Sequence, residues 1–216
     1  MKTILNKIGL VALITLLSWE GKSQGFVNFD FESANLTGHP TGSVPAANAF
    51  PGWTVTAPYI TYDAPSLSGA SISINDTGGY PPGPIQGNYW AFLATGLVPQ
   101  TDVTISLSQT GTIPLGMQSM TFWGNIGGLQ ISFSGQSLAF SQTGSTANYN
   151  IYSADVSALA GQSGQLLFSL PAFTSNATLD NIQFSTSAVP EPTTLALTAL
   201  GGLLIGYRRL RKLLET

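Results

Sequence analysis

The chain has 216 residues, no cysteine and only 8% charged residues, with ten Asp and Glu against seven Lys and Arg. All seven cations lie at the two ends: Lys2, Lys7 and Lys22 at one, Arg208, Arg209, Arg211 and Lys212 at the other. No cation therefore stands between 23 and 207 to meet a phosphate, which excludes nucleic-acid binding, and the missing cysteine excludes a disulfide-built domain and a thiolate zinc site.

Residues 1–23 have the three zones of a secretory signal peptide: a charged start over 1–7, an apolar run over 8–17 and a polar end over 18–23. Ten apolar residues are too few for a stable span, which needs about 20. Gly21 and Ser23 supply small residues at the −3 and −1 positions, so cleavage is expected before Gln24. A retained anchor is the alternative reading of this segment.

Residues 24–188 form one domain of ordinary size, large enough to bury a core. Its acids are Asp30, Glu32, Asp63, Asp76, Asp102, Asp155 and Asp180, against no Lys or Arg. Anionic ligands would meet an acidic surface with no arginine fork. In chain order, Val27, Phe29 and Phe31 alternate with Asn28, Asp30 and Glu32, the period of a half-buried strand. Ile72 and Ile74 alternate with serines, and Gly78 to Pro84 has the composition of a loop. Val103, Ile105 and Leu107 alternate with Thr104, Ser106 and Ser108. Ile131 and Phe133 lead through Ser134-Gly135-Gln136 toward Leu138 and Phe140, a hairpin-like connection. Strands are also expected at 149–152, 166–170 and 179–184. One helical turn is expected at 155–160, with Asp155 as its N-cap and Gly161 as its stop. Short Ser-, Thr- and aromatic-rich runs between Gly and Pro turns favour an antiparallel sandwich or barrel.

At the far end, Val189-Pro190-Glu191-Pro192 precedes an apolar stretch over 193–207, opening on Thr193 and closing on Tyr207, and then the cation cluster. Pro190 and Pro192 stop a preceding strand. The apolar stretch can form a short membrane helix whose far end the four cations hold in the cytoplasm. Gly201, Gly202 and Gly206 would let another membrane helix approach closely. Residues 189–216 thus resemble the PEP-CTERM sorting signal of exopolysaccharide-producing Gram-negative bacteria. The resemblance implies processing by an exosortase, an integral-membrane cysteine protease-transpeptidase that recognises the Pro-Glu-Pro and removes the tail. It also implies export, transient anchoring in the inner membrane, and delivery to the cell surface or extracellular matrix. The extension 213–216 beyond the cations is a departure from many members.

Two further stretches resemble galactose-binding-like jelly-roll domains. One is Gly25-Phe-Val-Asn-Phe-Asp-Phe-Glu32 followed by Pro51-Gly-Trp53; the other joins 156–162, 166–168 and Leu179-Asp-Asn-Ile182. The resemblance implies an all-β, antiparallel jelly-roll-like β-sandwich between the signal peptide and a single transmembrane sorting helix. It also implies one metal: related carbohydrate-binding jelly rolls hold a structural calcium between an acid ending the first strand and one in the last, positions that Glu32 and Asp180 match here. Carbonyls and Asn or Thr side chains would complete the six to eight oxygens that calcium takes. No other cofactor is expected.

A ligand of this domain should meet aromatic rings, because a flat ring stacks on the apolar face of a sugar while amides and carboxylates read its hydroxyls. Tyr59, Tyr62, Tyr80, Tyr89, Trp90 and Trp123 are the candidates, with the Tyr80–Trp90 stretch foremost; Trp53, Phe92, Phe122, Phe133 and Phe168 are assigned to the core. Trp123 points opposite Phe122, so one of the two faces away from the core. Catalysis has little to work with: His39 is the only histidine, and no Gly-x-Ser-x-Gly turn occurs. The expected protein is a non-enzymatic, exported β-sandwich. Its expected partners are signal peptidase, exosortase, the membrane through 193–207, and neutral polysaccharide; a structural coat component without glycan affinity is the alternative, and a glycan-active hydrolase is less favoured than either.

Overall fold

Short runs rich in Ser, Thr, Ile and aromatics, punctuated by Gly and Pro, give almost nothing but strands. The computed structural model describes residues 25–65, 69–76, 85–95, 103–173 and 176–189; the signal segment, the loop expected at 78–84 and the sorting segment from Pro190 onward lie outside them. The strands are β1 (Gly42–Ser43), β2 (Thr54–Thr56), β3 (Tyr59–Tyr62), β4 (Ser71–Asn75), β5 (Trp90–Ala94), β6 (Ile105–Thr112) and β7 (Ser119–Gly124). They continue with β8 (Gln130–Phe133), β9 (Gln136–Ser137), β10 (Phe140–Ser145), β11 (Asn150–Asp155), β12 (Ser163–Leu170) and β13 (Asn176–Ser185), and α1 (Ala46–Ala49) is a single turn.

Two sheets pack face to face. The larger runs β1-β3-β4-β5-β13-β7-β11-β10 and the smaller β2-β6-β12-β8-β9. Every pairing between these strands is antiparallel except β3 with β4, which is parallel. The result is the expected all-β sandwich of jelly-roll type. Between the sheets Phe122 stacks on Tyr152 at 5.4 Å, meets Phe140 edge-on at 5.4 Å and reaches across to Phe168 of the other sheet at 6.0 Å. Phe168 in turn meets Trp53, which stacks on Phe31 at 5.5 Å. Each such ring contributes roughly 2–3 kcal/mol of burial energy, so this aromatic chain joins the two sheets into one core.

Several local expectations hold in detail. Ser134 and Gly135, both at positive φ, form the two-residue turn of the β8–β9 hairpin, with Phe133 opposite Gln136. The expected helical turn after β11 is a 3₁₀ helix at Ser157–Leu159, but Val156 and not Asp155 takes the N-cap position. Asp155 Oδ1 accepts the Ser157 N–H at 2.9 Å, which holds its carboxyl below the ordinary carboxylate range.

The first segment departs from expectation. The stretch around Val27, Phe29 and Phe31 is a run of turns and not a strand, because Asn28 and Phe31 both take positive φ and the Phe31 N–H donates to the Asn28 carbonyl. That shift turns Val27 outward at 53% exposure and buries Phe26 and Phe31. Gln109 of β6 supplies the missing strand partner with its side chain: Oε1 accepts the Val27 N–H at 2.9 Å, and Nε2 donates to the Val27 carbonyl at 2.7 Å. The Asn28 carbonyl also accepts the Trp53 indole N–H at 3.0 Å, tying the segment to the core.

Candidate functional site

Strand parity gives the larger sheet a second face, turned away from the core. In the β13–β7 pairing Asp180 stands directly opposite Trp123, and in the β7–β11 pairing Trp123 stands opposite Ile151. Directly opposed residues share a face. Their neighbours Leu179, Phe122 and Tyr152 fill the core, so Asp180, Trp123 and Ile151 face outward. By the same parity Trp90 pairs with Asn75 and Phe92 with Ser73 on that outer face.

The outer face has a closed half and an open half. On β4 and β5, Ser71, Ser73, Asn75 and Trp90 are 0% exposed and Phe92 is 2% exposed, although none belongs to the core cluster. Among the described residues, the Trp90 Nε1 and, on adjacent β3, the Thr61 Oγ1 find no hydrogen-bond partner. On β7 and β11, Thr121, Trp123 and Ile151 are only half-buried. Trp123 stacks on Tyr149 with ring centres 5.1 Å apart and planes 14° off parallel. A mesh of amides lies on the opposite, core-side rim of the same strands, where Asn150 shares a face with Tyr152 and donates to its hydroxyl at 3.2 Å. Asn125 Nδ2 donates to the Asn148 carbonyl at 3.0 Å, Asn150 Nδ2 to Asn125 Oδ1 at 3.2 Å, and Gln142 Nε2 to Asn150 Oδ1 at 3.0 Å.

Residues 85–89, which lead into β5, separate the two halves, and two acids fasten them. The Gln86 N–H donates to Asp180 Oδ2 at 2.8 Å. Glu32 Oε1 accepts the N–H groups of Asn88 and Tyr89 at 2.6 and 2.8 Å, while Oε2 accepts Asn88 Nδ2 at 2.9 Å. Gly87 is required at the crest: its φ is +63°, and a Cβ would run into the Glu32 carboxylate. Asp180 is 0% exposed. Burial pushes its carboxyl up to about 8, against the opposing pull of N–H bonds from Asn181 and Gln86, with the charges of Glu32 and Asp30 adding to the rise.

A second acidic pair closes the ends of the parallel strands. Tyr62 Oη donates to Asp76 Oδ2 at 2.6 Å, and the Asp76 N–H donates to Asp63 Oδ1 at 3.0 Å. The hydrogen bond to Asp76 raises the Tyr62 phenol above its usual range, and burial lifts Asp63 to about 6.

The expected site residues scatter. Tyr80 and the sorting residues Pro190, Glu191, Pro192, Arg208, Arg209, Arg211 and Lys212 lie outside the described residues. Tyr89 turns inward and packs against the core. Trp90 is fully buried, so its ring is not offered to a ligand at the surface; the five-residue run Trp-Ala-Phe-Leu-Ala of β5 is buried on both sides. Phe92, assigned to the core, lies buried on the outer side of its sheet. Of the expected rings Trp123 stands on the open half, while Tyr59 is 55% exposed on β3 at the far side of the closed half. Tyr149, the partner of Trp123, falls in the sequence only at the start of an expected strand, and no local signal marks it as a ligand ring, since the stack forms between segments 26 positions apart. Glu32 and Asp180 meet through residues 85–89, and among the described residues no group of three His, Cys, Asp or Glu side chains is placed to hold a metal ion. No helix among the described residues is long and apolar enough to cross a membrane.

Among solved structures, the chain is similar to the enzymatically active domain of tailspike protein 4 from bacteriophage CBA120, at 13% identity and a TM-score of 0.43, over 75% of this chain and 21% of that one. The chain thus spans about a fifth of the length of that solved chain. It is also similar to the K2 cleaved adhesin domain of Lys-gingipain, at 12% identity and a TM-score of 0.41, over 76% of this chain and 97% of that one. A third similar structure is the carbohydrate-binding module TmCBM61 in complex with β-1,4-galactotriose, at 14% identity and a TM-score of 0.36, over 75% of this chain and 97% of that one. No curated protein matches the chain. Residues 188–212 match the PEP-CTERM protein-sorting motif, and with the Pro-Glu-Pro, apolar stretch and cation cluster in that order the chain is a carrier of this export and sorting signal.

Proposed function

We propose that residues 24–188 are a non-catalytic, carbohydrate-associated β-sandwich delivered to the cell surface or extracellular matrix, with signal peptidase and exosortase as its processing enzymes. The observation that carries the reading is the open half of the outer sheet face. A flat Trp123–Tyr149 stack lies beside Thr121 and the exposed amide of Gln183, which is paired with Thr121 on the same face, in a domain with no Lys or Arg. Such a surface repels polyanions and suits a neutral pyranose, whose C–H face packs on a ring while its hydroxyls meet amides. Titrating the protein with neutral polysaccharides tests this. Saturable binding that weakens in Trp123→Ala supports the reading. No affinity for any of them, with the protein abundant in the matrix, makes it a structural coat component.

A structural calcium belongs to the same proposal. Glu32 and Asp180 supply hard oxygen donors at the two ends of one short loop, with no Lys or Arg to compete. A carboxylate offers about four lone-pair sites. Three of those on Glu32 and two on Asp180 already accept N–H groups, so backbone carbonyls and water would supply most of the six to eight oxygens. The donor chemistry fits the ion on that condition. Bound there, calcium would neutralise the buried Asp180 and fix residues 85–89 more firmly.

A further inference from the structure

The boundary between the two halves of the outer face decides how a ligand can lie on it. Trp123 is directly opposite Asp180, and Asp180 is roofed by residues 85–89 through its 2.8 Å bond from the Gln86 N–H. Gln86, Gly87 and Asn88 are exposed along the crest of this roof. Adjacent strands lie about 4.8 Å apart, so the crest stands one strand from the Trp123 ring, less than the length of one sugar unit. Beyond it the β4–β5 part of the face is closed, with Trp90 and Phe92 no more than 2% exposed, and the face opens again only at β3, where Tyr59 is 55% exposed. In the other direction nothing comparable rises among the described residues: Ser141, Gln142 and Thr143 of β10 are exposed and polar at the sheet's edge.

From this step we infer that the Trp123–Tyr149 stack is an end-binding site, which takes the terminal one or two units of a neutral glycan and lets the rest of the chain leave over β10. The inference rests on the glycan-binding reading above and adds the ligand's geometry to it. For a chain that runs across the strands, the wall stops an internal stretch from continuing over β13, because it would have to pass through residues 85–89. The first unit stacks on the aromatic pair with its end against the wall. There the exposed Gln86 side-chain amide can meet the terminal hydroxyls, and the second unit lies over Ile151 on the way to the exposed Ser141 of β10, which is on the same face.

Calorimetric titration of the full chain with cello- and galacto-oligosaccharides, from monosaccharide to hexasaccharide, tests the inference without any variant. The expected result is affinity that rises from one unit to two and then stays level, with a cyclic glucan, which has no ends, binding at least about tenfold more weakly. Trp123→Ala and Tyr149→Ala should each lower the disaccharide affinity by about tenfold or more, the range of an interface hot spot, with only a modest fall in melting temperature from the lost stack. Gln86→Ala should lower it by a smaller factor. Affinity that keeps climbing to the hexasaccharide, or a cyclic glucan that binds as well as the linear chain, would overturn end binding while leaving glycan association intact. Absence of binding to every oligosaccharide and to the parent polymers would overturn both readings together.

Discussion

Replacing Asp180 by Asn should change the sign of its effect on stability between acid and neutral pH, measured with calcium chelated. The Asp180 side chain is 0% exposed, and burial raises its carboxyl from 3.8 to about 8. Because the folded value is the higher one, the folded protein keeps a proton that the unfolded chain has released. Its contribution is therefore full below pH 3.8 and is lost as pH rises toward about 8. At pH 7 the difference from 3.8 spans about three pH units, and at about 1.4 kcal/mol per unit the cost to the native state is on the order of 4 kcal/mol. Asn has no charge to bury, but it offers one acceptor oxygen where Asp offers two. One of the N–H groups of Gln86 and Asn181 then loses its bond, at about 1–3 kcal/mol. The variant should be less stable than the parent by about 1–3 kcal/mol near pH 4 and more stable by a similar amount at pH 7. Urea unfolding across this pH range gives both curves. Curves that run parallel would refute the reasoning, since burial would then not be what holds the proton.

Phe122→Ala, which empties the ring contacts with Tyr152, Phe140 and Phe168, should cost about 3–5 kcal/mol and lower the thermal midpoint followed by circular dichroism. If Glu32 and Asp180 share calcium, added calcium should raise the melting temperature of the parent and leave that of Glu32→Gln unmoved, because an ion bound only by the native state stabilises it by mass action. Identical parent melts with calcium and with chelator would make both acids fasteners of residues 85–89 alone. In a host with the processing enzyme, intact-mass measurement should find the exported protein without 1–23 and without most of the segment after Pro190; Glu191→Gln should keep the tail and leave the protein in the inner membrane. A full-length mass for the exported parent would contradict the processing.

Local features of the chain were enough for the address and the class of fold. Cations confined to the two ends, short apolar runs beside them, and Pro190-Glu191-Pro192 are contiguous signals, readable without any folding. Alternation along Ile105–Thr112 and the Ser134-Gly135 turn depend only on the two-residue period of a strand and on positive φ, so those elements appear where the sequence puts them. The opposite pointing of Phe122 and Trp123 follows from the same period, but which of the two faces inward needed the partner sheet: Phe168 across the core claims Phe122. Elsewhere tertiary contacts overrode the pattern. The alternating Val27, Phe29 and Phe31 became a turn because Gln109, 82 residues away, satisfies the Val27 backbone with its side chain. Trp90 and Trp123 are both tryptophans beginning or near the end of a strand, yet one is sealed and the other open. That difference lies in what covers each half of one sheet face, including a loop held by Asp180 from 94 positions further along the chain. Periodicity fixes which way a side chain points from its own strand; whether anything lies over it is decided only when distant segments meet.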